Sequence, residues 1–125
     1  MEEYVILRVI SGTAKGHKLK TLKGISTRPT SDRVKESLFN IISGMIPGAG
    51  VLDIYAGTGS IGIEALSRGS DFAVFVDISN ECSRIIRENL VNTKLIDKAS
   101  VITGDIFITL NKISKNNKKF DIILI

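Results

Sequence analysis

Residues 51–62 read VLDIYAGTGSIG, and this stretch decides the fold class. Its apolar first half predicts the strand Val51–Tyr55, its glycines predict a tight turn, and the residues that follow predict the helix Ser60–Ser67. A strand that passes through a glycine-rich turn into a helix is the unit on which nucleotide-binding α/β folds are built. We therefore expect a small ligand to bind where this strand ends.

The rest of the chain repeats the order of strand, turn and helix. Further strands are predicted at Phe72–Val76, Ser100–Thr103 and Phe120–Ile125, and further helices at Asn80–Asn92 and near Ile106–Ile113. Continuous apolar strands separated by amphipathic helices indicate a parallel sheet that helices cover on both faces. We predict an α/β fold, a doubly wound Rossmann-like sheet of about four parallel strands.

The part before this sheet divides at Arg28, because the residue before a proline is held out of the α-helical region. Upstream, Val5–Ile10 and His17–Leu22 alternate between apolar and polar residues, which predicts a β-hairpin. We therefore predict two parts. Residues 1–27 form a basic hairpin extension, and residues 28–125 form the Rossmann-like, cofactor-binding domain.

A helix is predicted at the start of that domain. Thr30 or Ser31 can cap it by accepting a hydrogen bond from its first free backbone N–H groups, and Pro47 and Gly48 end it. Five apolar residues recur at steps of three and four, the spacing of a helix: Val34, Leu38, Ile41, Ile42 and Met45.

The net charge of +4 is concentrated near the N-terminus. Residues 1–50 hold eight Lys and Arg against four Asp and Glu, and no acidic residue lies between Tyr4 and Ser31. Such a stretch attracts phosphate groups, whereas a solvated basic face without a partner is the alternative. The candidate contacts are Arg8, Lys15, Lys18 and Lys20.

Several protein classes are disfavoured by what the sequence lacks. The longest apolar run is five residues, at 72–76, against the roughly 20 that a membrane-spanning helix needs, and no signal peptide is expected. One cysteine cannot form an internal disulfide, so a cytoplasmic protein without membrane contact is predicted. No metal site is expected, because His17 is the single histidine and no acidic cluster accompanies it.

The glycine turn fits more than one class of ligand. A nucleotide P-loop would need Lys and then Ser or Thr where Ile63 and Glu64 stand. A dinucleotide fingerprint fits the spacing, with Asp77 20 residues after Gly57 to accept hydrogen bonds from a ribose. Asp53 argues against that ligand, because a carboxylate at the end of the strand would repel a pyrophosphate.

S-adenosylmethionine fits Asp53 better, because it carries an ammonium group and a sulfonium cation and no phosphate. A charge-assisted hydrogen bond to Asp53 would stabilise it by about 1.5–3 kcal/mol. Gly57 and Gly59 would adopt positive φ and let the backbone approach the ligand closely. S-adenosylmethionine is the predicted cofactor. The alternative is that the glycines only form a turn and Asp53 only caps local backbone.

Two further acidic residues end predicted strands. Asp77 is placed to accept hydrogen bonds from ribose hydroxyls, and its alternative role is a cap for the helix that starts near Ser79. Asp105, after Gly104, is placed to accept a hydrogen bond from an adenine amino group. A helix N-cap is its alternative role too.

Three stretches, in this order and spacing, resemble the RsmD family of bacterial methyltransferases that act on 16S ribosomal RNA: RVISGTAKGHKLK at 8–20, RPTSDRVKESLFNII at 28–42 and VLDIYAGTGSIGIEALSRG at 51–69. The second stretch is far more specific than the glycine turn. The resemblance implies transfer of a methyl group from S-adenosylmethionine to the exocyclic N2 amine of a guanine. The implied partner is 16S ribosomal RNA or an assembly intermediate of the small subunit.

The resemblance also implies residue roles. Cofactor contacts are implied for Asp53, Ala56, Gly57, Thr58, Gly59, Asp77, Ile78, Gly104, Asp105 and Ile106. The extension with its basic residues would hold the RNA. Arg28, Thr30 and Arg33 would border the reacting end of the pocket, although Arg33 as an exposed helix charge is an equal alternative.

The chain departs from the family pattern at its end. FDIILI at 120–125 resembles the strand that in this family leads into an Asp-Pro-Pro-Tyr or Asp-Pro-Pro-Phe motif, which holds the target amine and the flipped base. We expect a fragment that binds cofactor but shows no measurable methylation, because its catalytic residues would follow Ile125. The alternatives are a domain of an oxidoreductase that binds NAD or FAD, and a non-catalytic RNA-binding module.

Overall fold

A computed structural model describes residues 7–22 and 32–125. One four-stranded sheet organises the chain, and all three of its strand pairs are parallel. The strand order is β3-β2-β1-β4. The strands are β1 Gly50–Ile54, β2 Phe72–Asp77, β3 Ala99–Thr103 and β4 Ile122–Leu124. The helices are α1 Asp32–Ile42, α2 Ser60–Ser67, α3 Asn80–Asn92 and α4 Ile106–Lys115, with short 3-10 turns at Ser43–Met45 and Ile96–Lys98.

Alternate residues of the central strands enter two different cores, because successive side chains of a strand point to opposite faces. Val51 and Phe75 pack with α1, α2 and α3 and with Leu7 and Val9 of the N-terminal segment. The opposite face carries Leu52, Ile54, Val74 and Val76, which pack with residues of α4. Helices therefore cover both faces, and the predicted doubly wound α/β class is confirmed.

The N-terminal segment pairs with itself less extensively than predicted. Among residues 7–22, one antiparallel bridge joins Arg8 and Lys18, flanked by backbone hydrogen bonds such as Leu19 N to Leu7 O at 2.8 Å. The pairing stops at Lys20 because its N–H and carbonyl both bind the side chain of Asn89 instead of another strand. The first strand residues predicted, 5 and 6, lie outside the described residues.

Helix α1 buries only part of its apolar residues. Lys35 and Phe39 are its buried residues, Leu38 and Ile42 are half-buried, and Ile41 is 82% exposed. Val34 and Met45 are also exposed. The inward face of the helix also carries Lys35, whose Nζ lies 3.3 Å from a buried glutamate of α2. Thr30 and Ser31, the predicted caps, lie outside the described residues.

Parallel strands all end at the same edge of a sheet, which places Asp53, Asp77 and Thr103 near one another. This edge is the location of the candidate site. None of the helices in the described ranges has the length and apolarity that crossing a membrane would require.

Candidate functional site at the carboxyl edge of the sheet

A cavity of about 520 Å³ opens where β1 runs into the glycine turn, a size usual for small-molecule sites. Four of the predicted cofactor residues line it: Asp53, Ala56, Gly57 and Thr58. The other lining residues are Thr21, Leu22, Leu38, Ile54, Tyr55, Ser60, Ile61, Leu124 and Ile125. The wall is therefore a mixture of apolar side chains with the Asp53 carboxyl group, four hydroxyl-bearing side chains and a glycine-rich backbone.

The turn has an alternating backbone conformation. Tyr55, Gly57 and Gly59 have φ angles of 58°, 61° and 80°, all in the left-handed region that glycine adopts without strain. A Cβ at Gly57 would meet no atom within 4 Å, so space beside its backbone is open to a ligand. Tyr55 adopts this conformation despite its side chain, and such strain is typical of binding sites.

Gly62 serves packing rather than ligand contact. A Cβ there would lie 2.3 Å from a ring carbon of Phe75, so only glycine lets α2 approach β2 this closely. The approach brings the Gly62 N–H within 3.1 Å of Asp53 Oδ2, to which it donates a hydrogen bond. The predicted local role of Asp53 is thus real, and it coexists with the position of Asp53 on the cavity wall.

Asp53 is 5% exposed. Burial raises the pKa of the Asp53 carboxyl to about 7, and the nearby Asp77 adds to the rise while the Gly62 hydrogen bond opposes it. A buried carboxyl group whose ionisation is this costly would be stabilised by a cation placed in the cavity. A cation in the cavity would favour the ionised form of Asp53, and a diphosphate would disfavour it.

Asp77 braces the turn through both carboxylate oxygens. Oδ2 accepts a hydrogen bond from Gly57 N at 3.0 Å, and Oδ1 accepts one from Ser79 N at 2.9 Å. Helix α3 is capped by Ser79 itself, whose Oγ accepts from Cys82 N, so the alternative that Asp77 caps this helix is wrong. Its role toward a ribose stays a prediction.

The residues predicted around an adenine lie beside the cavity and not on its wall. Gly104 N donates to Asp77 O at 3.0 Å, which ties the ends of β3 and β2 together. Asp105 caps α4 by accepting from Ile108 N, which is the alternative role that the sequence left open. Ile106 is buried against the sheet and Ile78 is exposed. Adenine contact by these residues stays a prediction.

The basic residues of the N-terminal segment are on the surface. Lys15, Lys18 and Lys20 are exposed, as is Arg33 on α1. Arg8 is also exposed and forms an ion pair of 3.3 Å with Asp32. Arg28 and Thr30 lie outside the described residues. In residues 7–22 and 32–125, no group of three or more His, Cys, Asp or Glu side chains is arranged to hold a metal ion.

A buried polar network behind the turn was not predicted. Glu64, fully buried in α2, accepts hydrogen bonds from the backbone nitrogens of Ile10 and Ser11 and from Arg68 Nε. Lys35 Nζ lies 3.3 Å from Glu64 Oε1 and donates to Ser60 Oγ, a lining residue of the cavity, at 3.2 Å. The available signal was Glu64 and Arg68, four residues apart in an otherwise apolar helix.

A second unpredicted residue is Asn89 of α3, whose side chain binds the N-terminal segment and the glycine turn at once. In the sequence, Asn89 cannot be distinguished from the other polar residues of an amphipathic helix. Only the three-dimensional arrangement identifies it.

With this geometry established, the comparisons place the chain among known proteins. The sequence model of the family described as Conserved hypothetical protein 95 matches residues 7–125. The chain belongs to this family. The resemblance of the three stretches to the RsmD family is thereby confirmed.

Two relatives of the family carry functional names. The chain is 43% identical over 114 residues to the "Putative rRNA methyltransferase YlbH" of Bacillus subtilis, covering 91% of this chain and 62% of that protein. It is 33% identical over 119 residues to the ribosomal RNA small subunit methyltransferase D of Haemophilus influenzae, covering 95% of this chain and 62% of that protein. The chain thus spans less than two thirds of the length of either relative.

A solved structure supports the fold. The hypothetical protein TTHA0928 of a Thermus species superposes with a TM-score of 0.85 at 30% identity, over 94% of this chain and 67% of that one. The fold of this chain is therefore also present in that solved protein.

Proposed function

We propose that this chain binds S-adenosylmethionine and serves methyl transfer to the N2 amine of a guanine in 16S ribosomal RNA. The observation that carries the proposal is Asp53, a buried carboxyl group on the wall of a 520 Å³ cavity next to a left-handed glycine backbone. The names of the Bacillus and Haemophilus relatives support the reaction class and the ribosomal substrate.

Each part of the site has a role in this proposal. Asp53 holds the ammonium group of the cofactor. Gly57 has no side chain and leaves room for the cofactor to approach the backbone of the turn. Asp77 keeps the turn in place and offers its oxygens toward the ribose, while Asp105 lies toward the adenine. When bound, the cofactor supplies an electrophilic methyl group. The chain's own contribution is to fix the direction of that group and to keep water from it.

The substrate side of the proposal depends on the N-terminal segment. Its exposed lysines at positions 15, 18 and 20 provide the charge that an RNA backbone requires. We assign residues 1–27 to RNA contact and residues 28–125 to the cofactor. The partner is 16S ribosomal RNA or an assembly intermediate of the small subunit, which places the reaction in the cytoplasm.

Calorimetric titration with S-adenosylhomocysteine, which keeps the ammonium group, tests the proposal. We expect binding by the wild-type chain and a loss of about 10-fold to 100-fold in affinity for Asp53→Asn, the equivalent of one charge-assisted hydrogen bond. Asp121→Asn is the matched control, because Asp121 accepts a hydrogen bond from Gly50 N at the opposite end of β1.

A parallel titration with NAD separates the proposal from an oxidoreductase. Tighter binding of NAD than of S-adenosylhomocysteine by the wild-type chain would contradict the proposal. Binding of RNA with no affinity for either cofactor would instead support a non-catalytic RNA-binding module.

A further inference from the structure

Asn89 lies under the junction of two parts of the chain that are far apart in sequence. Its side chain is fully buried. Oδ1 accepts a hydrogen bond from Lys20 N at 2.8 Å, and Nδ2 donates to Lys20 O at 3.1 Å and to Thr58 O at 3.0 Å. One amide group therefore binds the N-terminal segment and the glycine turn together.

The residues that follow Lys20 belong to the cavity. Thr21 and Leu22 line it together with Gly57 and Thr58 of the turn. The N-terminal segment is thus part of the wall of the pocket as well as a carrier of basic charge. Lys20 is held to α3 a second time by the ion pair of its Nζ with Glu88, at 3.2 Å.

We propose that Asn89 is a positioning residue that holds residues 20–22 against the glycine turn as a wall of the cofactor pocket, an inference that rests on the proposed function. Cofactor binding then fixes the segment that carries Lys18 and Lys20. The extension and the cofactor site act as one unit, although the division into residues 1–27 and 28–125 assigns them separate tasks.

The chemistry of this position requires an amide. Asparagine supplies one acceptor and two donors, and all three are used here. Aspartate would keep the bond from Lys20 N and lose both donors. An apolar side chain would leave the backbone groups of Lys20 and Thr58 without these partners.

The competing explanation is that Asn89 only stabilises the fold and has no effect on the pocket. Ser67 provides the matched comparison. Ser67 is also buried and also binds the N-terminal segment, accepting from Ala14 N at 2.9 Å and donating to Ser11 O at 2.6 Å. It is not among the residues that line the cavity. Loss of either side chain removes hydrogen bonds to the same segment, but only Asn89 connects to the pocket.

Hydrogen exchange of the full chain, with and without S-adenosylhomocysteine, tests the proposal in the wild-type protein. We expect the ligand to slow exchange both in the glycine turn, residues 55–60, and at the amides of residues 20–22. Protection of the turn alone would overturn the inference while leaving the proposed function intact. Protection of neither region would overturn both.

The two variants add an affinity measurement. We expect Asn89→Ala to weaken S-adenosylhomocysteine binding at least 10-fold and to abolish the ligand-dependent protection of residues 20–22. Ser67→Ala should lower thermal stability and keep the affinity within twofold of the wild type. Equal losses of affinity in both variants, or an unchanged affinity in Asn89→Ala, would show that Asn89 only stabilises the fold. If Asn89→Ala does not fold, the wild-type exchange pattern decides.

Discussion

Lys35 and Glu64 form an ion pair of 3.3 Å in which neither side chain is exposed to solvent. Removing two charges from water is costly, and the pair is tolerated because its remaining groups are hydrogen-bonded. Lys35 Nζ also donates to Arg8 O at 2.6 Å, and Glu64 also accepts from Arg68 Nε at 2.8 Å. Burial lowers the pKa of Lys35, and the adjacent Glu64 opposes that change. The pair joins α1, α2 and the N-terminal segment.

Breaking this pair from one side should destabilise the protein strongly. Lys35→Met leaves Glu64 with Arg68 as its remaining cation and removes the donor to Arg8 O and Ser60 Oγ, and we expect the free energy of unfolding to fall by about 3–5 kcal/mol. Denaturant unfolding followed by circular dichroism measures it. Arg84→Gln, which breaks an exposed pair with Glu88, is the control and should move the midpoint little. A Lys35→Met protein as stable as the wild type would contradict this assignment.

Cofactor affinity should depend on pH through Asp53. With its pKa at about 7 in the free protein, the carboxyl group is mostly protonated at lower pH and must ionise to hold an ammonium group. We expect the affinity for S-adenosylhomocysteine to fall about tenfold for each pH unit below 7 and to level off above it. Titrations from pH 5.5 to 8.5 measure this dependence. Asp53→Asn should show a flat profile, and a slope retained in that variant would assign the titration to another group.

The free energy of unfolding should also depend on pH through Asp53, but it should fall as the pH rises. The pKa of Asp53 is higher in the folded chain than the ordinary value of 3.8, so the folded state binds the proton more tightly. The resulting stabilisation is fully present below about pH 4 and is lost as the pH rises to about 7, by roughly 1.4 kcal/mol per pH unit. Comparing wild type with Asp53→Asn by urea unfolding isolates it. The free energy of unfolding of Asp53→Asn relative to the wild type should rise with pH. A difference that does not change with pH would contradict the assignment of a raised pKa to buried Asp53.

Gly62 should tolerate no side chain. In Gly62→Ala the new Cβ would overlap the Phe75 ring, and we expect a loss of about 1–3 kcal/mol in stability together with weaker cofactor binding, because α2 must move away from Asp53. Gly44→Ala is the control, since a Cβ there meets no atom within 4 Å. Thermal unfolding and titration of both variants provide the test. Equal melting temperatures would show that the helix can shift freely.

The basic segment should contribute to RNA binding through charge. Replacing Lys15, Lys18 and Lys20 by glutamine should weaken binding of a single-stranded RNA and reduce the slope of log affinity against log salt by about 2, at roughly 0.7 per lost phosphate contact. Lys112, Lys115 and Lys119, also exposed, form the control triple variant. Similar losses in the two variants would indicate nonspecific attraction over the whole surface.

The sequence predicted the sheet well because its signals are local. Helices α2 and α3 have the predicted bounds, and strands β1, β2 and β3 agree to within one residue at each end. Spacing and glycine content are properties of neighbouring residues. The burial of Lys35 on α1 could not be predicted, because its partner Glu64 is 29 positions away. Asn89 was missed for the same reason, since nothing near it in sequence indicates that Lys20 and Thr58 converge on it.

The convergence of donors on Glu64 bears on how the chain assembles during synthesis. The amides of Ile10 and Ser11 find their acceptor in a residue more than fifty positions later, and Arg68 completes the group. A nascent polypeptide emerges with its N-terminus first. Residues 7–22 therefore leave the ribosome before α2 has been made and cannot yet form these hydrogen bonds. Docking of that early segment therefore cannot precede the synthesis of α2, which ends at Ser67, and its bonds to Asn89 require α3 as well.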